Sequence, residues 1–186
     1  MDVLQAIHSR RSIRRYRPDP LPRPLVEELL FAAVQAPTPP ISGSSPWALA
    51  VIEGVERLAV LGERAKTFAR EHQPAPHAWP WAERPDFKVF WDAPAVVLLG
   101  ARRGHPEAPF DCHRAAQNLL LAAHARGLGS CWVGAPLPWL ESAGVAAELG
   151  LPEGYAATVA VVLGYADEQP EGSPRPRPEI RWCGDA

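Results

Sequence analysis

Apolar residues recur at helical spacing in some stretches of the chain and in unbroken or alternating runs in others, and this division predicts its elements. Val3, Ala6 and Ile7 share one face and predict a short helix over residues 2–9, with Asp2 near its N-terminus. Leu25, Leu29, Ala32 and Ala33 mark a second helix. It is entered through the proline-rich turn at 19–24 and stops before Pro37, because a residue preceding proline avoids the helical region. Residues 47–52 predict a strand broken by Glu53 and Gly54. Over 55–72, Leu58, Leu61, Ala65 and Phe68 recur with charges elsewhere, the pattern of an amphipathic surface helix.

The run AVVLLGA at 95–101 is bounded by proline and charge and predicts a buried strand. Over 110–126, Ala115, Ala116, Leu119, Leu120, Leu121, Ala122 and Ala123 are apolar on nearly every face. That predicts a helix enclosed on all sides, ended by Gly127 and Gly129. A strand at 130–133, one or two short helices at 137–149 and an apolar strand at 155–165 complete the regular elements. Residues 38–45 read as a small polar loop, 73–85 as a Pro- and Trp-rich loop, and 86–91 as a helical turn. Beyond residue 168 the alternation of proline and arginine favours an extended C-terminal arm. Residues 1–186 are expected to form a single domain ending in that arm (168–186). One chain has limited means to enclose the central helix, so a homodimer is expected, with the arm reaching to the second subunit.

Composition narrows the class. With 186 residues, 47% of them hydrophobic, wholesale disorder is excluded. The longest apolar runs are about half of what a bilayer span needs, so no membrane partner is expected. Asp2 and the Arg10-Arg11 pair interrupt any signal-peptide pattern. Cys112, Cys131 and Cys183 are an odd number and suit a reducing compartment, so a cytoplasmic protein is expected. The net charge of −2 hides two cationic clusters. Arg10, Arg11, Arg14, Arg15 and Arg17 fall together near the start, and Arg175, Arg177 and Arg181 near the end. Two local clusters in an acidic chain point to an anion site rather than a nucleic-acid surface.

Several chemistries lose their support. His113 and His124 lie three helical turns apart, roughly 16 Å, too far to share a metal ion. There is no C-x-x-C pair, and Cys131 reads as a small buried hydrophobe. The G-x-S-x-G elbow, the P-loop and the dinucleotide glycine fingerprint are all missing, which disfavours hydrolase, kinase and Rossmann-type dehydrogenase readings. What remains is Arg10-Arg11-Ser12-Ile13-Arg14-Arg15-Tyr16. In an extended segment Arg10, Ser12 and Arg14 fall on one side, and Arg11, Ile13 and Arg15 on the other. Guanidinium groups beside a hydroxyl suit a phosphate, each charge-assisted bond being worth about 1.5–3 kcal/mol. The same run also reads as a solvated charged turn.

Five segments, in order, resemble the FMN-dependent nitroreductase family. They are Arg10-Arg11-Ser12-Ile13-Arg14; Ala36-Pro37 with its polar loop and Pro46-Trp47; Ala93-Pro94 leading into AVVLLGA; DCHRAAQNLLLAAHARGLGSC from Asp111 to Cys131; and Leu151-Pro152-Glu153-Gly154-Tyr155 leading to Leu163-Gly164-Tyr165, with the basic tail beyond. The resemblance implies an α+β fold, a mixed sheet flanked by helices, in an intertwined homodimer with an FMN site at each interface. By position, Arg10, Arg11 and Ser12 would hold the phosphate and ribityl end. Arg14 would lie near the pyrimidine edge, and Arg175 and Arg177 would complete the phosphate site. Trp132, Val133, Gly134 and Ala135 would lie along the flavin, with the Gly134 N–H approaching N5. Ser42, Gly43, Ser44 and Ser45 would come from the second subunit. Gly43 and Ser45 stand where the family commonly has Asn and Gln, so the acceptor pocket is expected to differ.

The implied activity is hydride transfer from NAD(P)H through flavin N5 to a nitroaromatic, quinone or similar flat acceptor, by a ping-pong sequence. No catalytic side chain and no metal are required. The same scaffold also serves oxygen-dependent flavin breakdown and reductive dehalogenation, and a flavin carrier without turnover is the non-enzymatic alternative. Trp79-Pro80-Trp81, with Trp91 beyond, reads either as an aromatic lid over the flavin or as a surface loop packing its tryptophans.

Overall fold

A computed structural model describes residues 1–39, 45–75 and 78–184. Its sheet contains β1 (Trp47–Glu53), β2 (Ala95–Arg102), β3 (Gly129–Trp132) and β4 (Tyr155–Gly164). The strand order is β1-β2-β4-β3, and each neighbouring pair runs antiparallel. Parallel pairing enters as an isolated bridge between Ser12 and Ser130, outside the named strands. The α+β class expected from the sequence is the one observed.

Strands β2 and β4 are apolar on both faces because both faces are covered. Val96 and Leu98 point into a core beneath α3 (Val55–His72), α5 (Leu137–Leu140) and α6 (Val145–Glu148). Ala95, Val97 and Leu99 point the other way, beneath α2 (Arg23–Ala33) and α4 (Ala108–Ala125). Each fully buried Leu or Val contributes about 1.5–3 kcal/mol over its exposed state. The alternation of β4 slips once. Ala157 faces the first core, yet Val159 faces the second, with Thr158 as the extra residue where the register shifts opposite Leu99 and Gly100. The Thr158 hydroxyl accepts from Ala101 N at 3.3 Å and donates to Ala156 O at 3.0 Å, which satisfies the irregular point.

Helix α1 (Val3–Ser9) starts where Asp2 accepts a hydrogen bond from Gln5 N at 2.9 Å. Two regions differ from expectation. Residues 80–83 form a 3-10 turn, Pro80–Glu83, because Pro80 is preset for a first helical position and Ala82 is buried beneath it. Residues 86–91 form no helix; the segment ends at Trp91 and Asp92, both in the left-handed region at φ 57° and 53°. Within this single chain α4 is not enclosed all round. Ala115, Ala116, Leu119 and Leu120 are buried, whereas Phe110, His113, Arg114 and Gln117 face outward. Residues 171–184 run exposed and without regular structure, with Trp182 90% exposed. Among the described residues no helix is long and apolar enough to cross a membrane.

Candidate functional site

The basic segment is held at both edges by distant parts of the chain. Ile13 N donates to Ser130 O at 3.0 Å, which fixes the segment beside β3. It then pairs antiparallel with the continuation of β4. Tyr16 bridges Ala166, Arg17 N donates to Tyr165 O at 2.9 Å, and Asp167 N donates to Arg15 O at 3.0 Å. Two glycines permit this close approach. A Cβ on Gly129 would lie 2.9 Å from Ile13 Cγ2, and one on Gly164 would lie 2.6 Å from Pro94 Cδ and 2.8 Å from the Tyr16 ring. The buried Tyr16 hydroxyl donates to Ile13 O at 2.6 Å, and burial pushes its pKa well above the ordinary range. Glu168 accepts from the backbone N–H groups of Arg14 and Arg15, at 2.5 and 3.2 Å.

This anchoring divides the arginines much as alternation predicts. Ile13 is buried in the core. Arg11 lies with it on the far side, where Nη1 donates to His8 O at 2.8 Å and Arg10 O at 2.9 Å and the guanidinium packs against Gly172. Arg10 is half-buried, and its guanidinium meets no carboxylate among the described residues. Burial holds its pKa below the ordinary arginine value, and the like charges of Arg175 and Arg11 push the same way. The charge of Arg175 in the C-terminal segment is thus felt at Arg10. Arg175 and Arg177 also form no ion pair among the described residues. Cys131 lies close by, its thiol pushed up by burial against the opposing pull of Arg14, Ser12 and Arg10. Such a thiol is a packing group, not a nucleophile.

Arg14 opens onto a cavity of about 390 Å³ lined by Tyr16, Asp86, Lys88, Trp91 and Asp92. Its guanidinium lies 5.7 Å from the centre of the Trp91 ring. Of the carboxylates nearby, Asp86 pairs with Arg84 at 2.6 Å and Asp92 pairs with Lys88, while Asp167 forms no ion pair among the described residues. Trp91 and Asp92 hold a backbone conformation that costs on the order of 1–3 kcal/mol per non-glycine residue. Trp91 N donates to Lys88 O at 3.2 Å, and Phe87 meets the Trp91 ring edge-on at 5.2 Å. Trp81 packs in turn on Phe87 at 5.6 Å, so one of the two tryptophans of the 73–85 loop belongs to this aromatic row. Asp86, Lys88, Asp92 and Glu168 are site residues that sequence reasoning missed. Asp86, Lys88 and Asp92 stand among apolar residues and Glu168 follows Asp167, and no local pattern marks any of them as belonging to a site.

At the exit of β3, Val133 N donates to Ala160 O at 2.9 Å and its side chain is buried, so Val133 is a core residue. Gly134 and Ala135 are half-exposed. The Trp132 ring folds over Gly134, with a ring carbon 2.9 Å from where a Cβ there would lie. The Ser45 hydroxyl is taken up locally, donating to Trp47 O at 2.7 Å. Ser42, Gly43 and Ser44 lie outside the described residues. A larger opening of about 680 Å³ lies between α3 and α5, but Arg64 there is saturated by a bidentate pair with Glu148, at 2.6 and 2.8 Å.

Arg10 and Arg14 form no ion pair among the described residues, and Arg14 opens onto an aromatic-walled cavity, groups that suit a planar, anionic ligand. Comparison with known proteins makes this specific. The model of the nitroreductase family matches residues 7–165. An NADH dehydrogenase of Thermus thermophilus is 31% identical over 198 residues, 95% of this chain and 92% of that protein. A 5,6-dimethylbenzimidazole synthase of Rhodospirillum rubrum is 30% identical over 199 residues, 98% of this chain and 89% of that protein. The crystal structure of a nitroreductase with bound FMN from Bacteroides fragilis superposes with a TM-score of 0.78 at 26% identity, covering 97% of this chain and 95% of that one. This chain belongs to the nitroreductase family, a family of oxidoreductases.

Proposed function

We propose that this protein is an FMN-dependent NAD(P)H oxidoreductase acting on nitroaromatics, quinones or similarly flat acceptors. The observation that carries the reading is a half-buried Arg10 that meets no carboxylate among the described residues and feels the like charges of Arg175 and Arg11. Like charges brought together in a half-buried place call for an anion, and a phosphate monoester meets that need. The residues present fit FMN. Arg10 and Ser12, with Arg175 and Arg177, would bind the phosphate. Arg14 would set a cation at the pyrimidine edge, and the Gly134 N–H would orient the ring, with Trp132 flanking it.

Bound FMN supplies the hydride chemistry between NAD(P)H and the acceptor. The chain's own groups bind, orient and exclude water. No side chain is asked to move a proton, and the buried thiols of Cys112 and Cys131 serve as packing groups. A single open face would serve donor and acceptor in turn, so ping-pong kinetics are expected.

Dimerisation is part of the proposal. Val3, Leu4 and Ile7 of α1, with Phe31 and Phe110, are 50–69% exposed, more apolar surface than one chain covers. A second copy would cover it and the open face of α4.

The test is direct. Purified protein should be yellow and release FMN on denaturation, and anaerobic NADH or NADPH should bleach it. An acceptor panel should then restore the colour. Colourless protein that ignores added FMN would contradict the proposal. The synthase relative motivates a competing reading, oxygen-dependent flavin breakdown; consumption of reduced flavin with oxygen alone, and none with nitroaromatics or quinones, would favour it.

A further inference from the structure

We infer that Trp91 is a positioning residue for Arg14, seating its guanidinium as an unneutralised cation at the edge of the cavity. The inference rests on the FMN reading above and adds a device to it. The Arg14 guanidinium lies 5.7 Å from the Trp91 ring centre and makes no ion pair among the described residues. Carboxylates share the same cavity, yet Asp86 is held by Arg84 and Asp92 by Lys88. Asp167 also lines the cavity without forming an ion pair among the described residues. An aromatic face fixes a guanidinium by attraction to the ring quadrupole and leaves its charge intact, whereas a carboxylate would cancel it.

The backbone agrees. Aspartate visits the left-handed region readily, as Asp92 does at φ 53°, but a bulky side chain is rare there, and here Trp91 holds φ 57°. The indole is held there by Phe87 on its ring, and its buried N–H meets no acceptor among the described residues. What the strained turn secures is the ring face. A full positive charge at the edge of the cavity favours a ligand that gains negative charge on reduction. Trp91 therefore favours reduced over oxidised FMN through Arg14.

The experiment measures the potential of bound FMN by dye equilibration, together with FMN affinity of the apoprotein. The proteins are wild type, Trp91→Phe, Trp91→Leu, Arg14→Gln and the Trp91→Leu/Arg14→Gln double variant. Trp91→Leu should lower the preference for reduced FMN about tenfold, a fall of about 30 mV for a two-electron couple. Trp91→Phe should stay within about twofold of wild type, since it keeps an aromatic face. Arg14→Gln should fall at least as far as Trp91→Leu, and the double variant no further. Should Trp91→Leu fail to fold, Trp91→Met keeps the bulk without the ring and takes its place. A wild-type protein that binds no FMN would defeat the underlying reading. Bound FMN whose potential responds to Arg14→Gln but not to Trp91→Leu, or additive effects in the double variant, would defeat this inference alone.

Discussion

Ser12 and Ser130 face each other across a parallel bridge, and through it the cationic segment is tied to the short strand at the sheet edge. The bridge depends on the missing side chain next door. Placing a Cβ on Gly129 would bring it within 2.9–3.1 Å of three Ile13 atoms. Gly129→Val should therefore cost about 1–3 kcal/mol, seen as a fall in Tm, with Gly129→Ala affected less. FMN retention should weaken in parallel, because Ile13 can yield only by carrying Arg14 with it.

Arg10 and Arg57 offer a contrast in which chain charge is constant. Arg10 is half-buried among like charges, whereas Arg57 stands exposed on α3. Arg10→Ala should reduce FMN affinity by one to two decades, at about 1.5–3 kcal/mol for a charge-assisted contact, and Arg57→Ala should leave it unchanged. Equal losses in an apoprotein titration would mean that the phosphate lies elsewhere.

Stability should fall on both sides of neutrality, for different groups. His124 accepts or donates a 2.7 Å hydrogen bond with Ser9 Oγ, and burial, Arg10 and Arg11 hold its pKa below the ordinary 6.5. The unfolded chain therefore takes up this proton first, and stability is lost as pH drops below about 6.5 and through the lower folded value. His124→Gln should flatten that limb in urea titrations. On the alkaline side burial, reinforced by Asp111, pushes the Cys112 thiol up from 9 to about 12. The unfolded chain then loses its proton first, so stability should decline between those values.

The three thiols should separate by reagent. Cys183 is exposed, while Cys112 and Cys131 are buried with raised pKa values. One thiol per chain should react with Ellman's reagent at pH 8 under native conditions and all three in denaturant.

The exposed apolar row of α1 predicts the assembly. Light scattering at micromolar concentration should return a dimeric mass. Ile7→Glu, at a position 50% exposed within one chain, should shift it toward monomer with little loss of helix content by circular dichroism.

The fold was largely legible in the sequence, because its elements announce themselves by period. The run at 95–101 became β2 almost residue for residue, and the 55–72 periodicity became α3 unchanged. One chain covers α4 at Ala115, Ala116, Leu119 and Leu120 while Phe110, His113 and Gln117 look outward, since apolar composition reports what a helix tolerates and not which chain covers it. The site was legible where charge was dense, at residues 10–17. It was illegible where partners are single and distant. Glu168 reaches Arg14 across a separation of 154 positions, and the turn at Trp91 and Asp92 defies the glycine rule by which such turns are found. Arg11 also shows a limit of strict alternation, since its side chain bends back to the carbonyls of its own helix terminus.

The cationic segment is stitched to Ser130 on one edge and to residues 165–168 on the other. During synthesis the cationic segment emerges about 150 residues before its second edge, and it can be fixed in place only once that edge has followed. Cofactor capture should thus come late in folding, and overexpression in flavin-poor cells should yield chains that are folded yet empty rather than chains arrested midway.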